Sequence, residues 1–88
     1  GSIKIERGKG EEDKDSRFWR KAVPLMHHVK SIYVSQVILD SKENQAICEA
    51  LLSAKSVTEV IVPEDIDPEC LKILRSRKDW KVKFPEKN

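Results

Sequence analysis

The chain has 88 residues, of which 36% are charged, yet its formal net charge is only +2. This length allows one small domain, and so balanced a charge argues against a dedicated nucleic-acid or membrane-surface module. No apolar run is long enough to cross a bilayer and no secretory signal is present, so we expect an intracellular protein, cytoplasmic or nuclear, with no membrane partner.

The first fifteen residues, GSIKIERGKGEEDKD, predict a disordered lead-in or linker. They are densely charged, contain all three glycines and carry few large apolar side chains. Gly1 and Ser2 resemble the remnant of a cloning tag, which indicates a piece of a longer protein. Ile3 and Ile5 leave open the alternative of a docked edge strand. We expect a single α/β domain to span residues 16–88.

A short helix is predicted next, with Asp15 suited to cap its first turn. Pro24 removes an intrahelical hydrogen bond, so this helix should kink there or end near Val23. A small core cannot easily enclose both rings of Phe18 and Trp19, so we expect one ring to be half exposed. Trp19 is therefore a candidate anchor for a partner, with a place in the core as the alternative.

The segment SIYVSQVIL, residues 31–39, is rich in β-branched and aromatic residues and predicts a strand. Apolar side chains fall on both of its faces, which favours a parallel sheet that is covered on both sides. Asp40 and Glu43, at capping-box spacing, then indicate the start of a second helix. Its apolar stripe is formed by Ala46, Ile47, Ala50, Leu51 and Ala54.

The rest of the chain predicts a strand, a helix and another strand. The second strand spans residues 57–62, and Asp67, Pro68 and Glu69 supply the N-cap, the first-turn proline and the acid that begin a third helix. Lysines alternate with apolar residues over 81–84, which is typical of an edge strand. The predicted fold is therefore a small α-β-α-β-α-β domain with a mainly parallel three-stranded sheet and helices packed on it.

Two stretches of the chain match each other at an offset of 28 residues. The matching apolar pairs are Val29 and Val57, Ile32 and Val60, Val34 and Val62, and Ile38 and Ile66. Any compact domain of alternating strands and helices consumes a similar length per unit, so spacing alone does not establish duplication.

The segment QAICEALLSAKSVTEVIVPEDI, residues 45–66, resembles the helix-to-strand passage of a leucine-rich repeat of the ribonuclease-inhibitor-like type. Val57, Val60 and Val62 take the three strand positions of that motif, and the resemblance extends over residues 29–84. It departs from the family where Glu64 or Asp65 replaces the usual Asn or Cys. The resemblance implies protein binding on the face that the strands line.

No pattern in the chain predicts catalysis, a cofactor or a metal. Cys48 and Cys70 fall within apolar helical stripes, so we expect buried, reduced thiols, with a disulfide as the alternative. His27 and His28 are adjacent, point in different directions and lack a further ligand at metal spacing. We therefore expect a non-enzyme with no cofactor, although an origin in a larger enzyme stays open.

The last third of the chain is rich in basic residues. One interpretation is a basic surface over residues 72–87 that binds phosphate or an acidic partner, with Trp80 as a stacking ring. The alternative is that bases at a helix end complement its dipole and edge lysines deter strand pairing. The candidate partner-binding residues here are Lys72, Arg75, Arg77, Lys78, Trp80, Lys81 and Lys83.

These observations together favour a non-catalytic protein–protein interaction or assembly module of a larger intracellular protein. Its partner would be another protein or a second copy of itself. The alternative function is a nucleic-acid-binding domain that uses the basic surface over residues 72–87.

Overall fold

The computed structural model describes residues 1–5, 15–34 and 41–86. Strands and helices alternate through these ranges. The elements in chain order are β1 (Ser2–Ile5), α1 (Ser16–Ala22) with a 3₁₀ turn (Val23–Leu25), β2 (Ser31–Val34), α2 (Ser41–Leu51), β3 (Glu59–Ile61), α3 (Pro68–Arg75) and β4 (Lys81–Lys83).

The four described strands form one parallel sheet in the order of the sequence, β1-β2-β3-β4. Each strand begins level with the next one, since Ser2 lies opposite Ser31, Ser31 opposite Glu59, and Glu59 opposite Lys81. Helix α1 packs against α2, and α2 packs against α3. Right-handed crossovers that advance in one direction put all three helices on the same face, which gives a two-layer domain.

The core lies between the helices and one face of the sheet. Ile32 and Val60 are opposite each other at the centre of that face, and both are fully buried. Leu51 of α2 and Leu74 of α3 are also fully buried in the same apolar cluster. This arrangement confirms the predicted α/β class with a parallel sheet and helices packed on it.

The sheet has one strand more than the three that the sequence predicts. Residues 2–5, placed by the sequence in a disordered lead-in, pair with β2 as the edge strand that was the alternative. Ile5 is buried and Ile3 lies beside Ile32, so both isoleucines of the strand pack against the core. The composition of the first fifteen residues is dominated by charged side chains. The short alternating pattern of Ile3 and Ile5 is lost when that composition is taken as a whole. Residues 6–14 of the predicted lead-in lie outside the described ranges.

The sequence offset of 28 residues is also the register of β2 against β3, because Ile32 pairs directly with Val60. A backbone contact recurs at the start of each strand. The N–H groups of Lys30 and Ser31 donate to the Gly1 carbonyl, those of Thr58 and Glu59 donate to the Lys30 carbonyl, and that of Lys81 donates to the Thr58 carbonyl. The same kind of backbone contact thus joins each strand to the next one.

The predicted ends of the first and third helices are confirmed. One Asp15 carboxylate oxygen accepts the backbone N–H groups of Arg17 and Phe18, at 3.0 and 3.2 Å. Helix α1 ends at Ala22, and Pro24 lies in the 3₁₀ turn that follows. At α3, the Asp67 side chain accepts the N–H of Glu69 at 2.9 Å, with a proline in the first helical position.

The first residue of the capping box predicted for α2 is not among the described residues. Asp40 lies outside the described residues, as do residues 35–39 of the predicted strand. Glu43 accepts a hydrogen bond from the backbone N–H of Ser16 at 2.8 Å, which joins the first turn of α1 to α2. Within the described ranges, no helix has the length and apolar character that spanning a membrane requires.

Candidate functional site

The face of the sheet opposite the helices carries two cross-strand rows of side chains. Side chains alternate along a strand, so residues next to the buried Ile32 and Val60 point to this second face. We call these residues the open face. The first row is Ser2, Ser31, Glu59 and Lys81, and the second row is Lys4, Tyr33, Ile61 and Lys83.

None of the described helices packs on the open face. Tyr33, in the middle of the second row, is 46% exposed, and Lys4, Lys81 and Lys83 are exposed as well. The expectation of a sheet covered on both sides is therefore wrong at β2. Apolar side chains on both faces of a strand indicate a covered sheet when the helices divide between its two faces. Here the strand order never reverses, so every described helix falls on one side.

Ile61 gives the open face an apolar centre. It is only 6% exposed, yet it does not belong to the contiguous core between sheet and helices. In the second row it lies directly between Tyr33 and Lys83, whose long side chains flank it. The row therefore runs from a cation through an aromatic ring and a branched apolar group to a second cation.

The charges of the open face are mostly positive. Three lysines stand against one acid, Glu59. The Glu59 carboxylate lies 3.2 Å from the Lys83 ammonium, and both side chains remain partly exposed. Ion pairs at such exposed positions contribute about 0–1 kcal/mol, so this pair can open when a competing charge arrives.

The Phe18 and Trp19 pair has one half-exposed ring, as the sequence predicts, but that ring is Phe18. Phe18 is 40% exposed, whereas Trp19 is 7% exposed and belongs to the core. The two rings meet edge to face, with centres 4.9 Å apart. Trp19 is therefore part of the core and is not placed to anchor a partner.

Arg77 and Trp80 also have structural positions rather than places on a binding surface. Trp80 is buried, and the Arg77 guanidinium carbon lies 4.3 Å from its ring centre. The same guanidinium donates to the backbone carbonyls of Leu52 (3.1 Å) and Ala54, just after α2, and to the Asp79 carboxylate. Arg77 thus occupies carbonyls that the end of a helix leaves without intrahelical donors.

The remaining basic candidates divide between two sides of the molecule. Lys72 and Arg75 line a shallow groove on the outer side of α3, together with Pro68, Leu71 and Ser76. Lys78 is exposed in the turn after α3. Lys81 and Lys83 lie on the open face, beyond the sheet from α3. The predicted basic surface over residues 72–87 is therefore not one continuous surface.

The two cysteines are free and buried, which confirms the prediction of reduced thiols. They lie on the neighbouring helices α2 and α3, which pack against each other. Burial raises the pKa of both thiols, and the neighbouring Cys70 adds to the rise at Cys48. Protonated thiols in such surroundings are poor nucleophiles. The described part of the chain contains no group of three or more metal-ligating side chains.

Sequence reasoning missed every member of the second row except Lys83, namely Lys4, Tyr33 and Ile61. A signal for Tyr33 was present, because it separates Ile32 from Val34 and must face away from both. Lys4 was assigned to the lead-in, and Ile61 was hidden within a run of three apolar residues.

Comparison of the chain with family models, with curated proteins and with solved structures finds no match.

Proposed function

We propose that the chain is a non-catalytic protein-interaction module of a larger intracellular protein, and that its open face is where the partner binds. The observation that carries this proposal is a level, parallel sheet in sequence order with one face free of described helices. Repeat proteins of stacked units present extended surfaces of this kind to their partners.

The resemblance to leucine-rich repeats forms part of the proposal. Two features support it: the offset of 28 residues between β2 and β3, and the recurrent backbone contact at each strand start. The extensive contacts between elements join neighbouring units: β1 with β2, β2 with β3, β3 with β4, α1 with α2, and α2 with α3. Stability that depends on nearest neighbours is the defining property of stacked-repeat proteins.

Nucleic-acid binding through residues 72–87 receives less support. Lys72 and Arg75 lie on the outer side of α3, while Lys81 and Lys83 lie on the open face, and Arg77 is engaged with backbone carbonyls. A phosphate backbone tracks a continuous basic groove, which this division does not offer. The stacking ring proposed for this surface, Trp80, is buried.

The test places a photoreactive benzophenone amino acid at single positions of the parent protein in its own cells. We expect the Tyr33 position to yield a discrete cross-linked protein adduct on irradiation. The matched control is the Arg75 position, which is also exposed but lies on α3, and it should yield no such adduct. Equal cross-linking from both positions, or none from Tyr33, would contradict the open face as the binding surface.

A further inference from the structure

We infer that the open face takes an acidic protein segment in which one apolar side chain stands between two carboxylates. This inference rests on the proposed function and adds the chemistry of the partner. It follows from three features of the face: its charge, the order of side chains in its second row, and the ion pair between Lys83 and Glu59.

Charge complementarity selects an acidic partner. Among the described residues of the two rows, Lys4, Lys81 and Lys83 are exposed and Glu59 supplies a carboxylate. The acids that precede and begin α3, such as Glu64 and Asp65, do not belong to either row of the face. Fields of one sign accelerate the encounter with the opposite charge and disfavour partners of like charge.

The second row sets the spacing of the partner's groups. Neighbouring strands are about 4.8 Å apart, so β1 and β4 are separated by roughly 14 Å across the face. An extended peptide rises about 3.3 Å per residue, so carboxylates about four residues apart reach Lys4 and Lys83 when the peptide crosses the strands. An apolar side chain between them meets the ring of Tyr33, which is 46% exposed.

Glu59 competes with the partner for Lys83. Its carboxylate lies 3.2 Å from the Lys83 ammonium. An incoming carboxylate must displace it and also bear its repulsion. Removing the charge of Glu59 while keeping its size should therefore strengthen binding, an effect opposite in sign to that of removing the lysines.

The probe is a fluorescent peptide, EEALAEE, titrated with the protein and followed by anisotropy. Lys4→Glu and Lys83→Glu should each weaken binding by about tenfold or more, and Glu59→Gln should strengthen it by roughly threefold. Lys72→Glu, which reverses an exposed charge on the other side of the sheet, should change it by less than about twofold. Raising salt from about 50 to about 300 mM should weaken the wild-type complex.

Circular dichroism of each variant confirms that its fold is retained. A basic counterpart peptide, KKALAKK, and oligothymidylate are titrated separately as alternative ligands. Equal binding of the basic peptide, binding of oligothymidylate alone, or indifference to the Lys83 and Glu59 changes would overturn the inference. A Tyr33 cross-link without binding of EEALAEE would refute the acidic chemistry and leave the binding face standing, whereas the absence of the cross-link would refute both.

Discussion

The sequence pattern places Arg77 on an exposed basic surface, but in the fold its side chain binds other parts of the protein. It follows α3 among other basic residues, and nothing near it in the sequence distinguishes it from Arg75. In the structure its guanidinium reaches the carbonyls of Leu52 and Ala54, and it covers the buried Trp80 ring. Arginine suits this position because its planar group donates several hydrogen bonds and stacks on an aromatic face at the same time.

Arg77→Ala should lower the free energy of unfolding by about 2 kcal/mol, because charge-assisted hydrogen bonds and the cation–π contact are lost together. Urea unfolding followed by Trp fluorescence measures the change. Arg75→Ala is the matched control, since it removes an exposed guanidinium that lines only the α3 groove, and it should cost less than about 0.5 kcal/mol. Similar losses for the two variants would show that the contacts of Arg77 do not stabilise the fold.

At the scale of the element, the first turn of α1 depends on an ionised cap. The hydrogen bond from the Arg17 side chain, followed by that from the Phe18 backbone N–H, lowers the pKa of the Asp15 carboxyl. A folded-state pKa below the unfolded value of about 3.9 means that this contribution to stability is present above that pH. It is lost as pH falls through the folded pKa, when protonation removes the charge that the cap donors favour.

We therefore expect Tm to fall as pH drops below about 4, and Asp15→Asn to reduce this fall. Asparagine is about as good an N-cap as aspartate but does not titrate, so the helix keeps its cap at low pH as well as at neutral pH. Thermal melts followed by circular dichroism give Tm at each pH. Asp79, whose pKa is lowered by its hydrogen bond from Arg77, still titrates and leaves a residual slope. Identical pH profiles for the variant and the wild type would contradict this role of Asp15.

At the scale of the whole molecule, local signals predicted more than distant ones. The start of α3 could be predicted because Asp67 and Pro68 act within one turn. The open face could not, because it depends on the order in which strands join the sheet, and no short segment encodes that order. The role of Arg77 was equally hidden, since the carbonyl of Leu52 lies 25 residues away in sequence.

The sequence predicts a disordered lead-in at the N-terminus, whereas the structure has the edge strand β1 there. A substitution in β1 distinguishes the two. In the structure, Ile5 is 1% exposed and lies opposite Val34, which itself faces the helices. In a disordered lead-in, the same side chain would be solvated in both the folded and the unfolded chain and would contribute nothing to stability. The two descriptions therefore give opposite expectations for a single substitution.

Ile5→Ala should lower the free energy of unfolding by about 2–4 kcal/mol, the range for truncating a buried branched side chain. That is a large share of the stability of so small a domain, and the variant could unfold without urea. Ile5→Val, with an expected loss of about 1 kcal/mol, keeps the change measurable in urea. Ser2→Ala alters the same strand on the open face and should cost less than about 0.5 kcal/mol. If Ile5→Ala unfolds at the wild-type urea concentration, β1 adds nothing to the sheet, and Lys4 loses the position on which the acidic-partner proposal depends.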